Sequence, residues 1–131
     1  MVLGLLVVNA LTGDAIYVAA GAEPLLLVRS DGRADVVERP GLPLGIDLET
    51  LYDETPVRLD PGDTALLFTD GITEARHGSD WLGYEGTVEL AQRSLQAPSL
   101  PEAGQAILAG ARDFAHGRLS DDACLILARR R

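Results

Sequence analysis

The chain has 131 residues, enough for one domain with a real buried core. Its formal net charge is −9, from 20 acidic and 11 basic residues, and an acidic surface argues against nucleic acid and anionic membranes as partners. The single cysteine, Cys124, excludes an intrachain disulfide and a zinc site built on several cysteines, and it fits a reducing, cytoplasmic setting.

No segment approaches the roughly 18 consecutive apolar residues of a membrane span. The opening "MVLGLLVVNA" lacks the basic leader of a signal peptide and reads as a strand. After the turn "LTGD" comes "AIYVAA", and the two apolar runs predict a hairpin. "PLLLVRS" and "ADVVER", joined through Asp31-Gly32, predict a second one. "RPGLPLGID" reads as irregular, "TPVRL" as a short strand, "DPGD" as a turn and "TALLFTD" as the next strand.

The last third changes character. "YEGTVELAQRSLQ" and "LPEAGQAILAGARDFAHG" have helical spacing. In the second, Leu100, Ala103, Ala106, Ile107, Ala111 and Phe114 fall near one face, Pro101 suits the first turn and Gly117 the end. "ACLILAR" closes as a strand, with Cys124 read as a small core hydrophobe. Strands, a helix pair and a final strand give an α+β domain with a largely antiparallel sheet.

Two acidic sites stand at the ends of core strands. In "ALLFTDGITEAR", Asp70 leaves its strand and Gly71 permits a sharp turn or the close approach of a ligand. Taken alone, a turn in which Asp70 bonds its own backbone is the simpler reading. In "SDDACLIL", Asp121 and Asp122 directly precede a strand, and neighbouring carboxylates repel unless a cation or donors compensate. If the two strands are antiparallel neighbours, Asp70 and one of this pair converge, and a hard divalent ion suits such oxygens. His77 and His116 have no ligand-like spacing and read as surface residues. Trp81 reads as a packing anchor at the start of the helical part. There is no phosphate-cradling glycine loop and no defensible Ser/His/Asp arrangement.

The blocks "YVAAGAEPLLLVRSDG", "GLPLGI", "LDPGDTALLFTDGITEAR", "WLGYEG" and "SDDACLILARR" follow one another in an order that resembles the metal-dependent protein phosphatases (PPM, protein phosphatase 2C-like), in their bacterial stage II sporulation protein E-type branch. The resemblance runs over essentially the whole chain. It implies an antiparallel β-sandwich flanked by helices, with two Mg²⁺ or Mn²⁺ ions activating a water that attacks a phosphoserine or phosphothreonine. By the same resemblance Asp70 and Asp121 match metal ligands, Gly71 the glycine that turns the chain, and Asp122 a supporting position. No residue is assigned as catalytic in its own right.

Two departures shape the expectation. Where the family reads "AGHPP" this chain has "AGAEP", so Ala22 replaces a histidine. The family's N-terminal blocks, including the strand whose aspartate bridges both metals, have no match, and Asp14 in "LTGDA" is no substitute. Residues 1–131 are therefore expected to form a single partial domain, holding at most one ion weakly and showing little or no turnover alone. The implied substrate is a phosphoprotein such as a phosphorylated anti-sigma-factor antagonist. Apolar surface left uncovered on the sheet and helices invites a homodimer or another partner. The alternative is a non-catalytic pseudophosphatase that serves as a regulatory binding module. A plain structural domain with solvated aspartates is a third.

Overall fold

The computed structural model describes residues 1–131. Strands β1 (Leu3–Val8) and β2 (Asp14–Ala20) form the first expected hairpin, and β5 (Thr55–Arg58) pairs with β2 to complete a three-stranded antiparallel sheet. The tight connection from β1 to β2 is organised by Asn9, whose Oδ1 accepts from the amides of Leu11 and Thr12. Strands β3 (Leu25–Val28) and β4 (Ala34–Val37) form the second hairpin. Its turn closes at Gly32, which adopts φ +88°, a conformation open to glycine. With β6 (Thr64–Phe68) and β9 (Leu125–Arg129) they make a four-stranded antiparallel sheet in the order β4-β3-β6-β9.

The two sheets pack face to face, and the larger one is covered on its other side by helices α2 (Gly83–Ser94) and α3 (Leu100–Phe114). Strand β3 shows why. All four residues of "LLLV" are buried, so both of its faces meet a core. Leu25 and Leu27 pack with Tyr17, Ala19 and Ala65 between the sheets. Leu26 and Val28 pack with Leu66, Leu90, Ile107 and Ala111 under the helices.

Helix α3 begins where Ser99 accepts from the Glu102 amide at 3.3 Å, with Pro101 in the first turn as expected. Its buried stripe is Ala103, Ile107 and Ala111, whereas Ala106 points to solvent. The expected face was drawn one position too wide: Ala106 lies about 100° round the helix from Ile107. The end also differs from expectation. His116, not Gly117, is the first left-handed residue, at φ 54°; its amide bonds the Asp113 carbonyl and that of Gly117 the Arg112 carbonyl. This is a Schellman closure with histidine in the position that glycine usually takes.

Three further features depart from the reading of the sequence. A small hairpin, β7 (Arg76–His77) with β8 (Asp80–Trp81), precedes α2. Trp81 is half exposed on it, beneath the Arg76 guanidinium at 5.5 Å, and anchors no core. His77 and His116 are exposed as expected, yet they stack on one another with ring centroids 3.8 Å apart. Cys124 is exposed, because β9 is an edge strand: Leu125 and Leu127 turn to the helices, and Cys124 and Ile126 turn the other way.

Uncovered apolar side chains lie on the smaller sheet and on the loop that carries Leu42, Ile46, Leu48 and Leu51. Leu3, Leu5 and Val7 of β1 point outward beside Ile16 and Val18 of β2, with Leu5 opposite Val18 and Val7 opposite Ile16. On α2 and α3 only Tyr84 among the large hydrophobic residues is exposed, so the expected patch on the helices is absent. No helix is long and apolar enough to cross a membrane.

Candidate functional site

Antiparallel pairing of β6 with β9 sets Phe68 opposite Leu125, and so brings the end of one strand to the start of the other. The chain then turns into α1 (Asp70–Thr73), a single helical turn with Asp70 in its first position. Thr69 joins the two segments. Its amide donates to the Cys124 carbonyl at 3.1 Å, its hydroxyl donates to the Asp122 carbonyl at 3.1 Å, and the same oxygen accepts from the Cys124 amide at 2.9 Å. Gly71 completes the junction. A β-carbon there would sit 2.3 Å from the Asp122 carbonyl oxygen, so the position holds only a hydrogen.

Convergence of Asp70 with one of Asp121 and Asp122 hangs, on the sequence, on whether their strands are neighbours; they are, and the backbone segments meet. The two residues line different grooves. Asp70 lines a groove of about 330 Å³ with Ala22, Glu23, Thr69, Cys124 and Ile126. Asp121 and Asp122 line a second one of about 370 Å³ with Arg112 and Arg118. Asp121 Oδ1 accepts from the Asp122 amide at 2.7 Å, which fixes the pair's turn. No three carboxylate, histidine or cysteine side chains converge on one point. Asp14, set aside on the sequence, pairs with Arg58 at 2.9 Å, and Asp14 lines neither groove.

Glu23 of the groove, and Tyr84 outside it, had no signal in the sequence analysis. Glu23 is half buried, and its Oε2 is sealed from water without a hydrogen-bond donor. The loop that carries it is held by Tyr17, a fully buried residue whose hydroxyl donates to the Glu23 carbonyl at 2.7 Å. Tyr84, near the start of α2, stands close to the same carboxylate. Burial, then Glu23, then the charges of Glu38 and Asp70 push its phenol up to about 12. Three carboxylates thus bear on one tyrosine. The carboxylates of Asp70, Asp121 and Asp122 are hard oxygens of the kind a Mg²⁺ or Mn²⁺ ion prefers, but they do not gather into a ready-made site.

Two antiparallel sheets face to face, a helix pair over the larger one and an aspartate turn clasped to an acidic loop make up a phosphatase architecture of the PPM class. The solved structures agree. The RsbU and RsbW domains of Rv1364c from Mycobacterium tuberculosis superpose with a TM-score of 0.81 at 28% identity, over 95% of this chain and 34% of that one. The phosphatase domain of SpoIIE from Bacillus subtilis superposes with a TM-score of 0.77 at 16% identity, over 98% of this chain and 58% of that one.

The sequence places it within that class. The stage II sporulation protein E family matches residues 1–131, and the chain belongs to that family. The phosphoserine phosphatase RsbU of Bacillus subtilis is 30% identical over 116 residues, 88% of this chain and 34% of that protein. The chain thus spans about a third of that relative's length.

Proposed function

We propose that this domain serves a metal-dependent protein phosphatase acting on phosphoserine or phosphothreonine in a bacterial regulatory protein, such as a phosphorylated anti-sigma-factor antagonist. The observation that supports this reading best is the Thr69 junction, which holds the Asp70 turn against the Asp121–Asp122 loop across 53 residues of sequence. In this reading Asp70 and Asp121 would hold Mg²⁺ or Mn²⁺. When bound, such an ion activates water and neutralises charge on phosphoryl oxygens.

The chain's own residues prepare the place. Thr69 fixes the distance between the two acidic segments, and Gly71 lets them approach without a side chain between them. Asp122 offers its backbone carbonyl to Thr69, which suits a supporting role. Two carboxylates that do not gather with a third bind such ions weakly, so turnover by these 131 residues alone is expected to be slow or absent. A cytoplasmic setting belongs to the same reading.

A second reading, a regulatory binding module without catalysis, is favoured by Ala22 on the groove wall and by the separate spaces that Asp70 and Asp121 line. One experiment tests both. Mn²⁺ is titrated into the purified chain by calorimetry while p-nitrophenyl phosphate turnover is followed in parallel. We expect Mn²⁺ binding that Asp70→Ala removes, with turnover near background. Turnover that vanishes in Asp70→Ala would overturn the expectation of a weak site. A wild-type chain that takes up no Mn²⁺ would sink the metal reading and leave the binding module.

A further inference from the structure

We propose that β1 is the place where two copies of this chain join, pairing antiparallel through their open edges into one continuous sheet. The pairing needs no metal and is independent of the phosphatase reading. Strands β1 and β5 bound the smaller sheet, β4 and β9 the larger. Three of these edges carry residues that discourage pairing with another chain. β5 is four residues long and holds Pro56 and Arg58. β4 is equally short and holds Asp35. β9 holds Arg129, and Arg130 and Arg131 follow it. β1 has no such guard: its six residues, "LGLLVV", include neither a charge nor a proline, and it is the longest of the edges.

Hydrogen bonding at the hairpin shows which backbone groups are open. In an antiparallel pair alternate residues bond the neighbouring strand, and those between face away. The Asn9 amide donates to the Asp14 carbonyl at 2.8 Å, and the register of β1 on β2 carries that phase back to Val7, Leu5 and Leu3. The amides and carbonyls of Gly4, Leu6 and Val8 therefore face away from β2, and no strand pairs with them on that side. Met1 exchanges hydrogen bonds with Leu44 on the β2 side, at 2.7 and 3.1 Å, which holds the start of the strand in line and leaves its outer edge free. At the other end of the sheet the same phase argument gives the opposite result. The Leu59 amide donates to the Gly13 carbonyl at 2.9 Å, so Pro56 falls on the open side of β5, where it has no N–H to offer.

A second copy satisfies this edge in both backbone and side chains. With a two-fold axis at Leu5, Gly4 faces Leu6 of the second copy and Val2 faces Val8, so the open amides meet carbonyls. On the outward side, where Leu3, Leu5 and Val7 are exposed, Leu5 meets Leu5 and Leu3 meets Val7, apolar against apolar. Charge favours the same place. At a net charge of −9 two copies repel, yet no side chain from Met1 to Gly13 is charged, so contact along β1 sets no like charges together. A two-fold contact uses the open edge of each copy, and Pro56 and Arg58 guard the other end of the sheet, so assembly stops at the dimer. A contact of this length is smaller than a standard interface, and the dimer should come apart on dilution.

The test is the mass of the full chain by analytical ultracentrifugation over a concentration series without metal, with circular dichroism to check that each variant is folded. Wild type should show a monomer–dimer equilibrium. Leu5→Lys sets two ammonium groups across the axis and should stay monomeric where wild type is dimeric. Leu48→Lys, at a 98% exposed position in the loop before β5, should dimerise as wild type does. So should Ile16→Lys, one strand in from the edge on the same outward face. Amide exchange gives a readout free of substitution: Gly4, Leu6 and Val8 should exchange more slowly as concentration rises. A wild type that stays monomeric throughout, or exchange at these amides that ignores concentration, overturns the proposal. A dimer that survives Leu5→Lys joins elsewhere, and one lost equally in Ile16→Lys packs sheet face on sheet face; either result overturns it. Assembly that grows past the dimer overturns the closed two-fold pairing.

Discussion

Gly71→Ala is expected to cost about 3 kcal/mol of folding stability and to remove Mn²⁺ binding with it. The added methyl would lie 2.3 Å from the Asp122 carbonyl oxygen, 2.7 Å from its carbon and 3.1 Å from the Ala123 α-carbon. All three are backbone atoms, so no side chain can rotate aside. Relief requires the Asp121–Asp122 loop to move, and that loop is tied to Thr69 by two hydrogen bonds through the threonine hydroxyl. The substitution therefore strikes the junction and the placement of both acidic segments at once. Urea denaturation measures the cost as a lower midpoint at unchanged slope. Gly104→Ala is the control: its methyl meets only Leu127 Cδ1 at 3.6 Å, an ordinary contact inside α3, where alanine stabilises by roughly 0.5–1 kcal/mol over glycine. A loss under about 1 kcal/mol in Gly71→Ala would show that the loop yields, and that the close approach is not what holds the two segments together.

The second large effect lies at the far side of the molecule from Asp70. Asp63, between β5 and β6, is 2% exposed. Its carboxylate accepts from the Ser30 amide at 2.9 Å, the Asp60 amide at 2.9 Å and Arg29 Nη1 at 2.9 Å. Replacing it with asparagine removes the charge that holds the guanidinium and leaves at least one of these donors without its acceptor. A loss of about 3 kcal/mol is expected, moderated because Arg29 keeps Asp35 as a second partner. The pH dependence follows from the same contacts. Burial pushes the Asp63 carboxyl up, but the two amides and the guanidinium outweigh it and hold the group below its usual value. A carboxyl depressed in the folded state contributes stability that is fully present above the unfolded value of about 3.9. That contribution is lost as pH falls through the lower folded value. Wild type should therefore lose stability below about pH 4 in a way that Asp63→Asn does not, as read from urea midpoints across pH. Parallel acid profiles for the two proteins would remove Asp63 from the account.

Local pattern carried much of the fold. Both hairpins, the strand ahead of Asp70, the two helices and the closing strand were legible because turn residues and apolar periodicity are local signals. The antiparallel meeting of "ALLFT" with "CLILAR" entered the sequence reading only as a condition, and the register of β6 on β9 meets it. What escaped the sequence depends on what covers each face. Cys124 lies in an apolar string, yet only the arrangement of β9 at a sheet edge decides that alternate residues face the groove. Trp81 fails as an anchor for a similar reason, since it falls on a two-residue strand outside both cores. Thr69 was silent because its partner Asp122 lies 53 residues away, and Asp63 read only as part of a turn because Ser30 and Arg29, which bury its charge, lie 33 and 34 residues off. Glu23 was silent because a lone glutamate beside a proline carries no pattern; only the burial of one of its oxygens marks it.

Strand β3 has a consequence for motion. It lies between β4 and β6, with Leu26–Val28 paired on both sides, and its two faces close two separate cores. Neither core can open while β3 stays in place, and β3 cannot leave without exposing both. The helical layer and the small sheet are thereby made to unfold together, although few contacts join them directly. Amide protons paired along Leu25–Val28 should be the last to exchange with deuterated solvent, at the rate of whole-molecule opening, and heating should give one transition rather than two.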